Sequence, residues 1–374
     1  MSKLGVINMK KIMLVFGTRP EAIKMAPLVK ELNKRKNIET LVCVTAQHRE
    51  MLDQVLDIFS IVPDYDLDIM KKSQTLSYIT SSILNKIDSV LKKEKPDVVV
   101  VHGDTTTTYA TALAAFYNKI KIAHVEAGLR TYNKYSPYPE EINRQMVGLI
   151  SDYNFSPTDM TAQNLIKEGK KEDSIFITGN TAIDTLKYTV DSKYSDENIK
   201  WAEGYRLILL TAHRRENIGD AMDNIFGAVK EIVEKYDDVK VIYPIHKNPV
   251  VREYADKYFK DVKRIKLIEP LDVVKFHNLI SRSYLVMTDS GGIQEEAPAL
   301  NIPVMVLRNE TERKEGIDAG TLKLLGTDKK KIVDGVSLLL ENKEEYNKMA
   351  LSVNPYGDGN ASKLIADILE REDN

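Results

Sequence analysis

The sequence predicts an α/β fold of two doubly wound, Rossmann-like domains, and three observations carry that prediction. Short, unbroken apolar runs recur along the chain, each followed by a polar or glycine turn and then a longer amphipathic stretch. The series runs twice, over about residues 10–178 and again from about residue 206. A length of 374 residues exceeds what one ordinary core holds and suits two domains.

In the first series, residues 11–16, 40–45, 97–101 and 120–125 read as strands; in the second, residues 206–210, 240–243, 265–268, 285–288 and 304–307. Such runs lack the alternation of a half-exposed strand and suit a parallel sheet covered by helices on both faces. Residues 76–93 and 221–236 carry helical spacing, and strands alternating with helices argue for doubly wound domains. The polar stretch 191–204 reads as the linker, which sets a first domain at 1–190 and a second from 191. Two such domains side by side would bring the carboxyl ends of their strands to a shared interdomain cleft. Ligands of this fold class bind outside those ends, so polar residues just after strands are the candidates for a site.

Composition narrows the function. A formal net charge of -2 gives no general affinity for nucleic acid or an anionic membrane, so an anionic ligand needs a local basic cluster. The single cysteine, Cys43, lies in an apolar run and reads as a core residue. Alone, it excludes a disulfide framework and a cysteine metal cage. The six histidines are scattered without ligand spacing, so no metal site is expected. No apolar stretch approaches the roughly 20 residues needed to cross a bilayer, and the N-terminus lacks an export pattern. A cytoplasmic location is expected.

Six segments follow strands or open helices with polar chemistry. Gly17-Thr18-Arg19-Pro20-Glu21 makes a tight turn into a helix with proline near its start, where Arg19 and, a turn later, Lys24 suit a phosphate. A capped helix with two solvated cations explains the same residues equally well. No G-x-G-x-x-G or Walker pattern accompanies it. Asp104, in His102-Gly103-Asp104-Thr105, has a helix N-cap as its ordinary role. Glu126, in His124-Val125-Glu126-Ala127-Gly128-Leu129-Arg130, also follows a strand. Glu140, in Pro139-Glu140-Glu141-Ile142-Asn143-Arg144, would be stabilised at a helix start whatever it does. Singly, each carboxylate suits structure better than catalysis; together, at strand ends of one domain, they suit acid–base work. In the second half, His213-Arg214-Arg215-Glu216-Asn217 offers an anion site after a strand. Asp289-Ser290-Gly291-Gly292-Ile293-Gln294-Glu295-Glu296 offers backbone N–H groups for phosphate, with Glu296 one turn further for ribose hydroxyls. Arg313 supplies another cation. One domain carrying carboxylates and the other gripping a nucleotide diphosphate is an enzyme's layout.

These segments, in this order and over nearly the whole chain, resemble the motifs of the non-hydrolysing UDP-N-acetylglucosamine 2-epimerases. The resemblance implies a glycosyltransferase-B-type fold, a homodimer, a cleft that closes on substrate, no cofactor, and a last helix (within 359–374) that crosses back from a second domain ending at 358. Carried over by residue, it assigns Arg19, Lys24, His213 and Arg313 to the diphosphate. Ser290, Gly291 and Gly292 hold phosphate, and Glu296 holds the ribose. Residues 271–276, with Leu271 and Phe276 at their ends, contact uracil; many relatives carry glutamine at the position of Leu271, which leaves its backbone to make the contact. Asp104, Glu126 and Glu140 match the catalytic carboxylates, and His213 is counted with them. Some relatives bind a second UDP-N-acetylglucosamine as an activator. Gln47, His48, Arg214 and His246 match positions used there, while an arginine those relatives also use is replaced near Ser73.

The reaction the resemblance implies is reversible inversion at C2 of UDP-N-acetylglucosamine, giving UDP-N-acetylmannosamine. UDP leaves C1 as a base takes the C2 proton, forming 2-acetamidoglucal, and adds back after protonation on the opposite face. Three rivals remain at this point: a hydrolysing epimerase that releases UDP and N-acetylmannosamine, a glycosyltransferase of the same fold, and a non-catalytic sugar-nucleotide sensor.

Overall fold

Five consecutive residues of the first strand, Lys10–Phe16 (β1), are buried, so both of its faces must be covered. The computed structural model, which describes residues 9–47, 49–71 and 73–371, shows what covers them. The chain divides into two compact units, one running to Tyr188 and resuming at Gly357, the other spanning Thr189–Tyr356.

In the first unit β1 is joined by Ile38–Val44 (β2), Tyr65–Asp66 (β3), Val98–His102 (β4), Lys121–Val125 (β5), Tyr153–Ser156 (β6) and Ile175–Ile177 (β7). The sheet order is β3-β2-β1-β4-β5-β6-β7, and every pairing is parallel. Side chains alternate across a strand, which sends Ile12, Leu14 and Phe16 into one core layer and Met13 and Val15 into the other. On the second face lies the helix Leu76–Glu94, whose Ile79, Ile83, Ile87 and Leu91 repeat every four residues and are all buried. Cys43 sits in the same layer, and burial pushes its thiol up to about 12, an inert core residue as its surroundings suggest. The last helix, Ala361–Glu370, lays Ile365, Ala366 and Leu369 into the first layer beside the helix Arg19–Leu32. Its leading N–H groups, on Ala361 and Ser362, donate to the buried Asp184 carboxylate at 3.2 and 2.8 Å, which satisfies donors a helix start leaves open.

The second unit repeats the plan with Arg206–Thr211 (β8), Val239–Pro244 (β9), Ile265–Ile268 (β10), Leu285–Thr288 (β11), Val304–Val306 (β12) and Leu322–Leu324 (β13). Their order is β10-β9-β8-β11-β12-β13, again all parallel. Ile208 and Leu210 face one core layer, Leu207 and Leu209 the other. Within the expected linker, Asp196 accepts from the N–H groups of Asn198 and Ile199, both at 2.9 Å, and so opens a short helix, Glu197–Ala202.

All nine expected strands form, with ends shifted by a residue or two. The runs listed from the sequence lack β3, β6, β7 and β13, which number two to four residues each. Too few positions are involved for a period to show. In each unit the strand order reverses beside the central strand, between β1 and β4 and between β8 and β11. A doubly wound sheet opens a ligand crevice at such a switch point.

Candidate functional site

At the first switch point the turns after β1 and β4 are tied together by one buried acid. Glu21 accepts from the N–H groups of Gly17 and Thr18 at 3.1 and 2.8 Å and from the hydroxyls of Thr105 and Thr108 at 2.6 and 3.2 Å. Thr18 caps the helix Arg19–Leu32 and completes a capping box with Glu21. The turn is also tight. A Cβ on Gly17 would lie 1.8 Å from Thr45 Oγ1 and 2.8 Å from Thr107 Oγ1. Gly17→Ala is therefore expected to lower stability by about 1–3 kcal/mol, read as a drop in Tm; an unchanged Tm would mean the turn relaxes freely.

Asp104 is not the cap of the helix that follows it. Thr105 is the cap, accepting from the Thr108 N–H at 3.1 Å. That leaves the Asp104 carboxylate for an ion pair with Arg144, Nη2 to Oδ2 2.6 Å. Burial pushes Asp104 up to about 6, against the pull of Arg144, and the negative charges of Glu126 and Glu140 add to the rise. Arg144 comes from the helix Glu140–Ile150. The same helix holds Asn143, which donates to the Asp104 carbonyl at 2.9 Å, and Glu140, half-buried in its first turn. Its other acid, Glu141, is a buried anchor that accepts from the Thr131 and Tyr132 N–H groups, both at 2.9 Å.

Glu126 stands beside this pair on the turn after β5, with φ at +65°, a conformation a non-glycine residue holds only under constraint from its neighbours. Its Oε2 accepts from Asn180 Nδ2 at 2.8 Å and forms an ion pair with Lys24. Lys24, assigned from the sequence to the diphosphate, is thus placed against a carboxylate. His102 points its Nε2 toward the same oxygen at 3.7 Å, and that nitrogen has no hydrogen-bond partner among the described residues. Burial holds the His102 imidazole down at about 4, so it is neutral near pH 7. His124 Nε2 lies 2.7 Å from the Gly103 carbonyl, an acceptor only, and so carries its proton there. Arg19 opens the helix at this crevice, half-buried.

At the second switch point Asp289, fully buried, gathers the turns after β8 and β11. Its Oδ2 accepts from the His213 and Arg214 N–H groups, both at 2.8 Å, and from Asn217 Nδ2 at 3.1 Å. The Ser290 N–H is used internally, donating to Thr288 Oγ1 at 2.9 Å. No hydrogen bond among the described residues uses the N–H of Gly291 or Gly292. The helix expected after them is a single turn, Ile293–Glu296, because Pro298 follows and shifts the chain into a 3₁₀ turn. The two glycine amides, more than a long helix dipole, are what this turn offers an anion. Glu296 lies 3.5 Å from His277 Nε2. Arg313 is clamped by two carboxylates, Glu295 at 2.8 Å and Glu312 at 2.6 Å. Burial would raise Glu312, but Arg313 and Arg308 overcome it and hold that carboxyl at about 2. Leu271 and Phe276 pack on the core layer next to β11.

The residues matched to a second nucleotide site divide as follows. Gln47 is engaged in the first unit by Gln74 on its carbonyl at 3.0 Å and by Thr107 on its side chain at 3.2 Å. In the second unit Arg214 donates from Nε to the Asp289 carbonyl at 2.8 Å. There too the His246 ring stacks on His213 with centroids 5.3 Å apart. His48 lies outside the described residues.

The structure adds Arg144, Asn180, His102 and Asp289 to these clusters. His102, Arg144 and Asp289 lie in the motifs given above, and position after a strand is signal enough for Asp289. Asn180 carried no signal beyond lying just before a helix. Among the described residues no cluster of metal-ligating side chains occurs, and no helix is long and apolar enough to cross a membrane.

Two doubly wound units of parallel sheet, one with a carboxylate cluster and one with a turn of open backbone amides at its switch point, suit a nucleotide-sugar enzyme of glycosyltransferase-B-type fold. The chain belongs to the UDP-N-acetylglucosamine 2-epimerase family, whose model matches residues 30–370. The UDP-N-acetylglucosamine 2-epimerase of Bacillus subtilis strain 168 is 59% identical over 359 residues, covering 96% of this chain and 94% of the relative. That of Escherichia coli K12 is 50% identical over 369 residues, covering 96% and 98%. A crystal structure of the UDP-GlcNAc 2-epimerase from Neisseria meningitidis bound to UDP-GlcNAc superposes with a TM-score of 0.86 at 48% identity, covering 96% of this chain and 99% of that one.

Proposed function

We propose that this protein interconverts UDP-N-acetylglucosamine and UDP-N-acetylmannosamine without hydrolysing either. The observation that carries this reading is the pairing of two unlike carboxylates at one switch point: Asp104, pushed up to about 6, and Glu126, whose Oε2 meets Lys24 and Asn180 as donors. A carboxyl raised by burial, beside a second held by two donors, suits acid–base work. Proton handling at C2 is assigned to Asp104, Glu126 and Glu140.

In the step proposed, one carboxylate takes the C2 proton, the C–H electrons form the C1–C2 double bond, and the C1–O electron pair leaves with UDP. The Gly291 and Gly292 amides, the Ser290 hydroxyl, Arg19, His213 and Arg313 receive the diphosphate, whose developing charge is the larger part of the barrier to be offset. Glu296 takes the ribose hydroxyls, and residues 271–276 take the uracil. A second acid then protonates C2 on the opposite face as UDP returns to C1. Protons and UDP are exchanged and no net electrons, so the chemistry calls for no redox cofactor. Arg313 meets the diphosphate already paired with Glu295 and Glu312, so the two carboxylates compete with the diphosphate for it and temper its hold. The proposal extends, on the resemblance of the motifs and the balance of charge, to a homodimer working in the cytoplasm on UDP-sugars, with no nucleic-acid or membrane partner.

Positional isotope exchange tests the elimination. With ¹⁸O in the bridge between C1 and the β-phosphorus, recovered UDP-sugar should carry label scrambled into the non-bridging β-phosphate positions. Epimerisation without scrambling would exclude departure of UDP.

A further inference from the structure

Asp289 is fully buried, yet its two carboxylate oxygens live in different surroundings. Oδ2 takes three donors, whereas Oδ1 has no hydrogen-bond partner among the described residues. A buried carboxylate oxygen left unmet is costly, and His213 Nδ1 lies 3.5 Å from it. Hydrogen bonds of catalytic pairs often stand long in the free enzyme and tighten with ligand. The imidazole is steered from two further directions. The backbone N–H of His213 is fixed on Oδ2 of the same aspartate at 2.8 Å. One ring face lies on His246, 9° from parallel, and His246 is itself oriented by the Asn248 N–H on its Nδ1 at 3.1 Å.

We infer that Asp289 is the positioning residue of His213, taking the Nδ1–H on Oδ1 and leaving Nε2 as the nitrogen offered to the departing diphosphate. Fixing one ring nitrogen sets the tautomer and the direction of the other. When Nε2 is protonated, the positive ring shares its charge with a carboxylate already in place. This deepens the reading of His213 given above and rests on it for the kinetic part only.

The test is Asp289→Asn, which keeps one oxygen for the His213 and Arg214 amides and turns an NH₂ group toward Nδ1. Protein labelled with ¹⁵N-histidine is compared at alkaline pH, where the ring is neutral, with His213→Asn identifying the resonance. The parent should carry the His213 proton on Nδ1, and Asp289→Asn should move it to Nε2. Turnover should fall by about ten- to a hundredfold, as for orienting partners of other functional histidines, while the Kd for UDP changes little. An Nε2–H tautomer in the parent, or the same tautomer in both proteins, overturns the inference. So does a loss of UDP affinity and Tm in step with turnover, which a merely structural aspartate would produce. Should the parent itself fail to epimerise, the proposed reaction falls, and the tautomer comparison still decides the pairing.

Discussion

Asp104→Asn is expected to abolish measurable epimerisation, by a factor of about 10²–10⁴, without lowering Tm at pH 7. The two halves of this result have one cause. The folded protein holds Asp104 at about 6, above its ordinary 3.8, so the folded state binds a proton more tightly than the unfolded chain. Stability from this group is therefore fully present below about pH 4 and is lost as pH rises through about 6. At neutral pH, keeping the carboxylate ionised in its buried place costs up to about 3 kcal/mol. Asparagine removes that charge and still presents an oxygen to Arg144. UDP binding, assigned to Arg19 and to residues of the second unit, should be retained. Turnover near the parental rate would remove Asp104 from the mechanism, and a markedly lower Tm would mean the Arg144 pair stabilises more than burial costs.

Glu126→Gln should match that loss of turnover but reverse the sign on stability. Lys24 and Glu126 are mostly buried, their side chains 18% and 9% exposed. Removing one charge of a buried pair leaves the other without its counter-charge. A loss of about 1.5–3 kcal/mol is expected, the range for hydrogen bonds to charged groups, measured by denaturant unfolding. Glu126→Gln with Lys24→Met should recover part of the stability and none of the activity. Two neighbouring acid-to-amide changes with equal kinetic and opposite thermodynamic effects would be hard to explain by general damage to the fold.

Much of the architecture was legible because it is written locally. Residues 12–16 and 98–101 declare doubly covered strands by having no polar face, and Gly17, Asp104, Glu126 and Asp289 declare crevice positions by following strands. What could not be read is what chain distance hides. Lys24 and Arg313 read from the sequence as phosphate-binding cations, and nothing local shows the partners the fold gives them: Glu126 for Lys24, 102 residues away, and Glu295 and Glu312 for Arg313. Asp104 has a helix cap as its ordinary local role, and only Thr105 in that place, with Arg144 on the carboxylate, frees it for chemistry. Edge strands such as Tyr65–Asp66 exist through pairing with a neighbour, with no pattern of their own.

The central claim, proton exchange at C2 with UDP conserved, is tested most directly in deuterated water. Purified protein is incubated with UDP-N-acetylglucosamine, without added metal or nicotinamide cofactor, and the sugar is followed by proton NMR. UDP-N-acetylmannosamine should appear reversibly, with deuterium at C2 of both sugars at equilibrium. Accumulation of UDP and free N-acetylmannosamine, or a C2 proton that never exchanges, would contradict it.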